Sequence, residues 1–180
     1  MSLISRLLGS RAAAVPPGRA AAASPPGSPA PAGRPAASTD VGLVAFFTAD
    51  HRDIDAVWAE VESAPDLAGA VDAARRFDAA LRRHLDWEEQ VLFPAFEDAT
   101  GHHGFGPTEV MRGEHAHMRA ILDEMARCAA EEERTALEEQ GDTLMMLIQQ
   151  HNAKEEGMLY PMANQVLGDP GWQAMAARFR

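Results

Sequence analysis

His84-Leu85-Asp86-Trp87-Glu88-Glu89-Gln90-Val91-Leu92-Phe93-Pro94 and His151-Asn152-Ala153-Lys154-Glu155-Glu156-Gly157-Met158-Leu159-Tyr160-Pro161 share one pattern, His-x-x-x-Glu-Glu-x-x-Leu-aromatic-Pro. Residues four apart lie one above the other on a helix, so each stretch aims an imidazole and a carboxylate at a common point. The second glutamate of each pair falls well round the helix from the histidine, which predicts Glu88 and Glu155 as the inward members and Glu89 and Glu156 facing away. Each stretch reads as half of a metal site.

Outward from these stretches the chain has helical periodicity. Val44, Phe47, His51, Ile54, Trp58 and Val61 form one apolar seam with a histidine inside it. Phe77, Leu81, His84, Glu88, Val91 and Leu92 form a second, after a turn marked by Pro65, Asp66 and Gly69. Pro94 is expected to kink or end that helix. The run Gly101 to Pro107 reads as a loop, and Pro107 as the opening of a third helix with the seam Met111, His115, Met118, Leu122 and Met125. A fourth seam reads Leu144, Leu147, His151, Glu155, Met158 and Met162, ending at Gly168-Asp169-Pro170. Trp172 to Arg180 could add a short helix that packs Trp172 and Phe179.

These seams predict an all-α protein, an up-down-up-down four-helix bundle over residues 40–180. At about 1.5 Å per residue, similar distances to the intervening turns bring His51 level with His84, and His115 level with His151. Asp50-His51 is echoed by Glu114-His115, so the chain reads as two helical hairpins related by an approximate twofold. Each hairpin supplies one histidine from its first helix and a His–Glu pair from its second.

Composition narrows the function classes. The net charge is −11, and residues 1–39 carry Arg6, Arg11, Arg19 and Arg34 with no acid, so the bundle is more acidic still. An acidic domain repels phosphate backbones, which argues against nucleic-acid binding. The single cysteine, Cys128, rules out an internal disulfide and a thiolate zinc site. No apolar run approaches the roughly 18 residues of a membrane span. Residues 1–39, rich in Ala, Pro, Gly and Ser, are expected to form a disordered tail. Their arginine-bearing, acid-free character also fits a transit segment, so the expected location is cytoplasmic, or an organelle matrix on that second reading.

A lone buried histidine is usually a hydrogen-bonded core residue. Six polar residues at one level of four seams are different, because burying two carboxylates without counter-charge costs several kcal/mol each, and no cation lies on those seams. Divalent cations would balance them. Imidazole and carboxylate donors without thiolate suit iron, manganese, zinc or a mixed pair. The Glu-x-x-His spacing of ferritin-like di-iron bundles and the His-Glu-x-x-His of zinc proteases are both absent.

The two repeated stretches, with Asp50-His51 and Glu114-His115, resemble the hemerythrin-like (HHE cation-binding) domain over about residues 40–165. The resemblance implies a bundle holding a non-haem di-iron centre, with His51, His84, His115 and His151 as terminal ligands. Glu88 and Glu155 would be the bridging carboxylates, with an oxo or hydroxo bridge completing the centre. Oxygen-carrying members have a further histidine one turn after the first on the third helix, where this chain has Arg119, and their last helix uses His-x-x-x-x-Asp where this chain has His151-x-x-x-Glu155. Fewer histidines leave more open positions, which favours reaction with oxygen, peroxide or nitric oxide over reversible carriage. Three functions follow: a metal-binding protein that binds or senses oxygen, nitric oxide or iron, a small oxidoreductase consuming peroxide or nitric oxide, and an interaction bundle with a vacant or zinc-holding site. A sensor of this kind would signal through a protein partner. Asp55, Asp86 and Glu114 are candidate acceptors for imidazole N–H groups. Tyr160, Trp58 and Trp87 are assigned to packing, and His102, His103 and His117 to solvent.

Overall fold

Helix α1 spans Leu43–Ser63 and stops where the chain dictates, since Ala64 turns extended ahead of Pro65. Asp66 then caps α2 (Leu67–Trp87), its carboxylate accepting from the Gly69 amide at 2.8 Å. The computed structural model describes residues 42–179; the tail expected at 1–39 lies outside them. Helix α3 (Phe93–Thr100) ends on Gly101, whose φ of 76° is a left-handed cap that glycine adopts without steric cost. Pro107 opens α4 (Pro107–Ala130). A three-residue turn leads into α5 (Arg134–Lys154), and α6 runs from Tyr160 to Ala176, interrupted at Gly168. The short connections within α1–α2 and α4–α5 make each pair an antiparallel hairpin, and no strand occurs among the described residues.

Between α2 and α3, and again between α5 and α6, the helix widens for one turn. Glu88–Leu92 and Glu155–Leu159 are π-helical, with the Phe93 and Tyr160 amides donating five residues back to the Glu88 and Glu155 carbonyls. Pro94 therefore does not end the second helix. The widened turn precedes it, α3 continues, and the carbonyl of Gln90, four residues before the amide-less Pro94, accepts from Arg178 Nη2 at 3.3 Å.

The extra residue in the π turn also shifts which side chains face inward. Met158 and Met162, expected on the fourth seam, are 46% and 38% exposed, and Leu159, Tyr160 and Ala163 are buried in their place. A constant 3.6-residue period points Met158 and Met162 inward, and the π turn breaks that period.

Apolar side chains gather into two clusters. One lies toward the hairpin turns and includes Ile54, Trp58, Phe77, Leu122, Met125 and Leu144. The other includes Phe46, Phe47, Phe93, Phe96, Tyr160 and Trp172, with Phe179 from the C-terminal segment. His51 sits on α1 between Phe47 of one cluster and Ile54 of the other, so the polar layer divides the bundle's core.

Candidate metal centre

All six predicted residues are buried and meet. Helix α1 contributes His51, α2 contributes His84, α4 contributes His115 and α5 contributes His151, while Glu88 and Glu155 each begin a π turn. His51 Nε2 faces His84 Nε2 at 3.1 Å, and His115 Nε2 faces His151 Nε2 at 3.1 Å. Two donors at right angles round one ion at about 2.1 Å stand about 3 Å apart, so each facing pair has the separation of neighbouring ligands. Glu88 Oε2 lies 3.5 Å from His84 Nε2 and 3.3 Å from His115 Nε2. Glu155 approaches His51 Nε2 at 3.3 Å and His151 Nε2 at 3.0 Å. Each carboxylate therefore reaches one histidine of each hairpin. Two overlapping groups, Glu88–His115–His151–Glu155 and His51–His84–Glu155, bring one donor atom per residue within 4.8 Å of the rest.

The imidazoles are turned so that Nε2 points inward, and a carboxylate holds every Nδ1. Asp50 takes that of His84 at 2.8 Å and Glu114 that of His151 at 2.8 Å, each acceptor being the residue before its own hairpin's first histidine. Glu89 takes that of His115 at 2.9 Å and Glu156 that of His51 at 2.8 Å, each crossing to the other hairpin. An Nδ1–H donated to a carboxylate leaves the Nε2 lone pair for a metal and makes it a stronger donor. Glu89 and Glu156 thus face away from the Nε2 cluster, as expected, but toward a neighbouring imidazole.

The two buried carboxylates are pushed in opposite directions. Burial, reinforced by the Glu155 charge, pushes Glu88 well above the ordinary carboxylate range. Glu155 is itself resisted by burial, yet contacts from His151 and His51 hold it well below that range. His51 and His151 are raised despite burial, chiefly by Glu155, while burial lowers His84 against the pull of Asp50. Burial also opposes the Glu89 charge, but His115 and Arg119 outweigh it and hold Glu89 at about 2. Glu88 Oε2 and Glu155 Oε1 are buried with no hydrogen-bond partner, although imidazole nitrogens lie 3.0–3.5 Å away. Lone pairs aimed past one another at a shared space are a poor hydrogen-bond array and a good cation array, so these residues fit divalent metal.

Tyr160 belongs to the site, contrary to its assignment to packing. Its Oη lies 2.7 Å from Glu88 Oε1, 2.8 Å from Glu155 Oε2 and 3.1 Å from His51 Nε2. Burial and the two carboxylates raise its phenol well above the ordinary range. The counterpart Phe93 stacks on His115, with ring centroids 5.5 Å apart. The sequence signal was present in the repeat, where the one mismatch between the aromatic positions is a hydroxyl.

The surrounding polar residues sort similarly. Of the three candidate imidazole acceptors only Glu114 serves; Asp86 pairs instead with Arg119 at 2.8 Å, and Asp55 is half-buried on α1 beside Arg52. Arg119 does not enter the Nε2 cluster, because Glu89 and Asp86 draw its guanidinium outward. Arg52, Lys154, Arg119 and Arg83 pair with Glu156, Glu114, Glu89 and Asp50, so all four Nδ1 acceptors are themselves held by exposed or half-buried cations. His102, His103 and His117 are exposed. Among the described residues no helix is long and apolar enough to cross a membrane.

Comparison with known proteins agrees with this geometry. The family model for the hemerythrin HHE cation binding domain matches residues 42–163. An uncharacterized hemerythrin-like protein of Schizosaccharomyces pombe is 30% identical over 132 residues, covering 72% of this chain and 63% of that protein, so the chain spans less than two thirds of its relative. No solved structure matches significantly.

Proposed function

The chain belongs to the hemerythrin HHE cation-binding domain family, and from that premise we propose that it is a di-iron protein that binds or senses oxygen, nitric oxide or iron. The observation that carries this reading is the placement of Glu88 and Glu155, each within reach of one histidine from either hairpin. His51 and His84 would hold one ion, His115 and His151 the other, and the two carboxylates would span them. Iron at such a site supplies reversible binding or reduction of small oxidising ligands. The protein's own contribution is to fix the imidazoles through Asp50, Glu114, Glu89 and Glu156 and to exclude bulk water with the two apolar clusters.

Iron is favoured over the other candidates by family membership, while the donor set alone also admits manganese or zinc. Elemental analysis of the purified full-length protein, with its near-ultraviolet spectrum before and after reduction, tests the reading. About two irons per chain with a charge-transfer band that bleaches on reduction is the expected result. Near-zero iron persisting after anaerobic reconstitution would sink it. Steady consumption of peroxide or nitric oxide by loaded protein, lost in His84→Ala, would assign an oxidoreductase instead of a binding protein.

A further inference from the structure

The approximate twofold relating the hairpins is closely kept by the six predicted donors and by the four carboxylates on Nδ1. It fails at one inward position. Where the second hairpin's repeat places Tyr160, the first places Phe93, and only the tyrosine carries an oxygen into the centre.

In the state that accepts cations, with Glu88 and Glu155 ionised and Nε2 of His51 presenting a lone pair, one phenol proton faces three acceptors. It can satisfy only one of them well. The separations are also those of neighbouring ligands: 2.7 and 2.8 Å to the carboxylate oxygens and 3.1 Å to His51 Nε2, against the 3.1 Å that separates the His51 and His84 nitrogens. The ring is held in place by stacking on Phe47 at 5.1 Å and by full burial, so the oxygen cannot swing out to solvent.

We infer that Tyr160 is a seventh donor to the metal pair, bound on the His51/His84 side, so that the two metal positions are chemically unequal. On coordination the O–H proton leaves to solvent and no electron changes hands. An anionic oxygen on one side favours a harder, more highly charged ion there than at the His115/His151 side, where Phe93 offers only a ring face. This rests on the reading of the centre as a cation pair.

The test needs no substitution in its first arm, because the sequence contains one tyrosine. Full-length protein reconstituted with iron alone, in its ferric form, should show a visible charge-transfer band. Excitation into that band should enhance phenolate ring vibrations that shift when ring-deuterated tyrosine is incorporated. In the second arm, Tyr160→Phe should stay folded by circular dichroism, lose the band, and bind one of the two ions about tenfold or more weakly while the other is unchanged. Two irons per chain with no phenolate signature, or a Tyr160→Phe protein with wild-type binding of both ions, overturns the seventh donor and leaves the cation pair standing. A chain that binds no iron overturns both.

Discussion

Glu97 shows how a single buried acid joins two elements. It accepts from Thr108 and is gripped by both guanidinium nitrogens of Arg112, tying α3 to the first turns of α4. Arg112 is the main reason its carboxyl sits below the ordinary glutamate range. A depressed value means that folding favours the ionised form, so the stabilisation is complete above the ordinary range and disappears as pH falls through the folded value. The stability gap between wild type and Glu97→Gln, both under chelator, should be widest near neutrality and close below about pH 4. Denaturant melts across that range measure it, and a gap independent of pH would remove the charge from the account. The acids on Nδ1 make a second prediction at this scale. Glu156→Ala should weaken metal binding about 10–100-fold in competition with a chromophoric chelator while helicity is kept. Unchanged affinity would show that His51 needs no such support.

At the scale of elements, helix α5 depends on a residue it should disfavour. Gly141 lies mid-helix, where glycine costs about 1 kcal/mol relative to alanine. A Cβ there would stand 1.8 Å from Cη2 of Trp58, so the indole of α1 occupies the space a side chain would fill. Gly141→Ala is therefore expected to lose about 1–3 kcal/mol by overpacking despite its better propensity, and Trp58→Phe in the same chain to recover part of the loss. Additive effects in that double-mutant cycle would contradict direct contact. The π turns act at the same scale. Each starts at a predicted bridging glutamate and rotates the residues after it, which is how Tyr160 comes to point at the centre and Met158 at solvent.

For the whole molecule the centre is a polar layer between two apolar clusters, and on the proposed reading the metals are part of the fold. Ions that bind only the native state stabilise it by about 2.7 kcal/mol at a hundredfold excess over Kd. Removing them with chelator should lower the melting temperature, and readdition should restore it. Coincident melting curves after confirmed removal would mean that the hairpins hold together without the centre. The short hairpin connections work in the opposite sense, since α1–α2 and α4–α5 bring each histidine pair together locally. Only the docking of one hairpin on the other adds the carboxylate contacts between them.

The family, the four-helix bundle and the inward placement of the six histidine and glutamate side chains were legible in the sequence, because a 3.6-residue period and a repeated His-x-x-x-Glu state which side chains share a face. The same periodicity brought all four histidines to one level. The partners of Nδ1 were not legible for Glu89 and Glu156, since helical phase says that a side chain leaves its own seam but not what the neighbouring helix presents to it. Met158 and Met162 were misplaced because a π turn is a one-residue insertion that leaves no mark in composition. Tyr160 is indistinguishable in pattern from its counterpart Phe93 because both satisfy the aromatic position of the repeat. Tertiary structure decided that its hydroxyl lies between two carboxylates: the rotation after Glu155 and the docking of α6 on α1 aim one oxygen into the layer, and neither is encoded by spacing along a single helix.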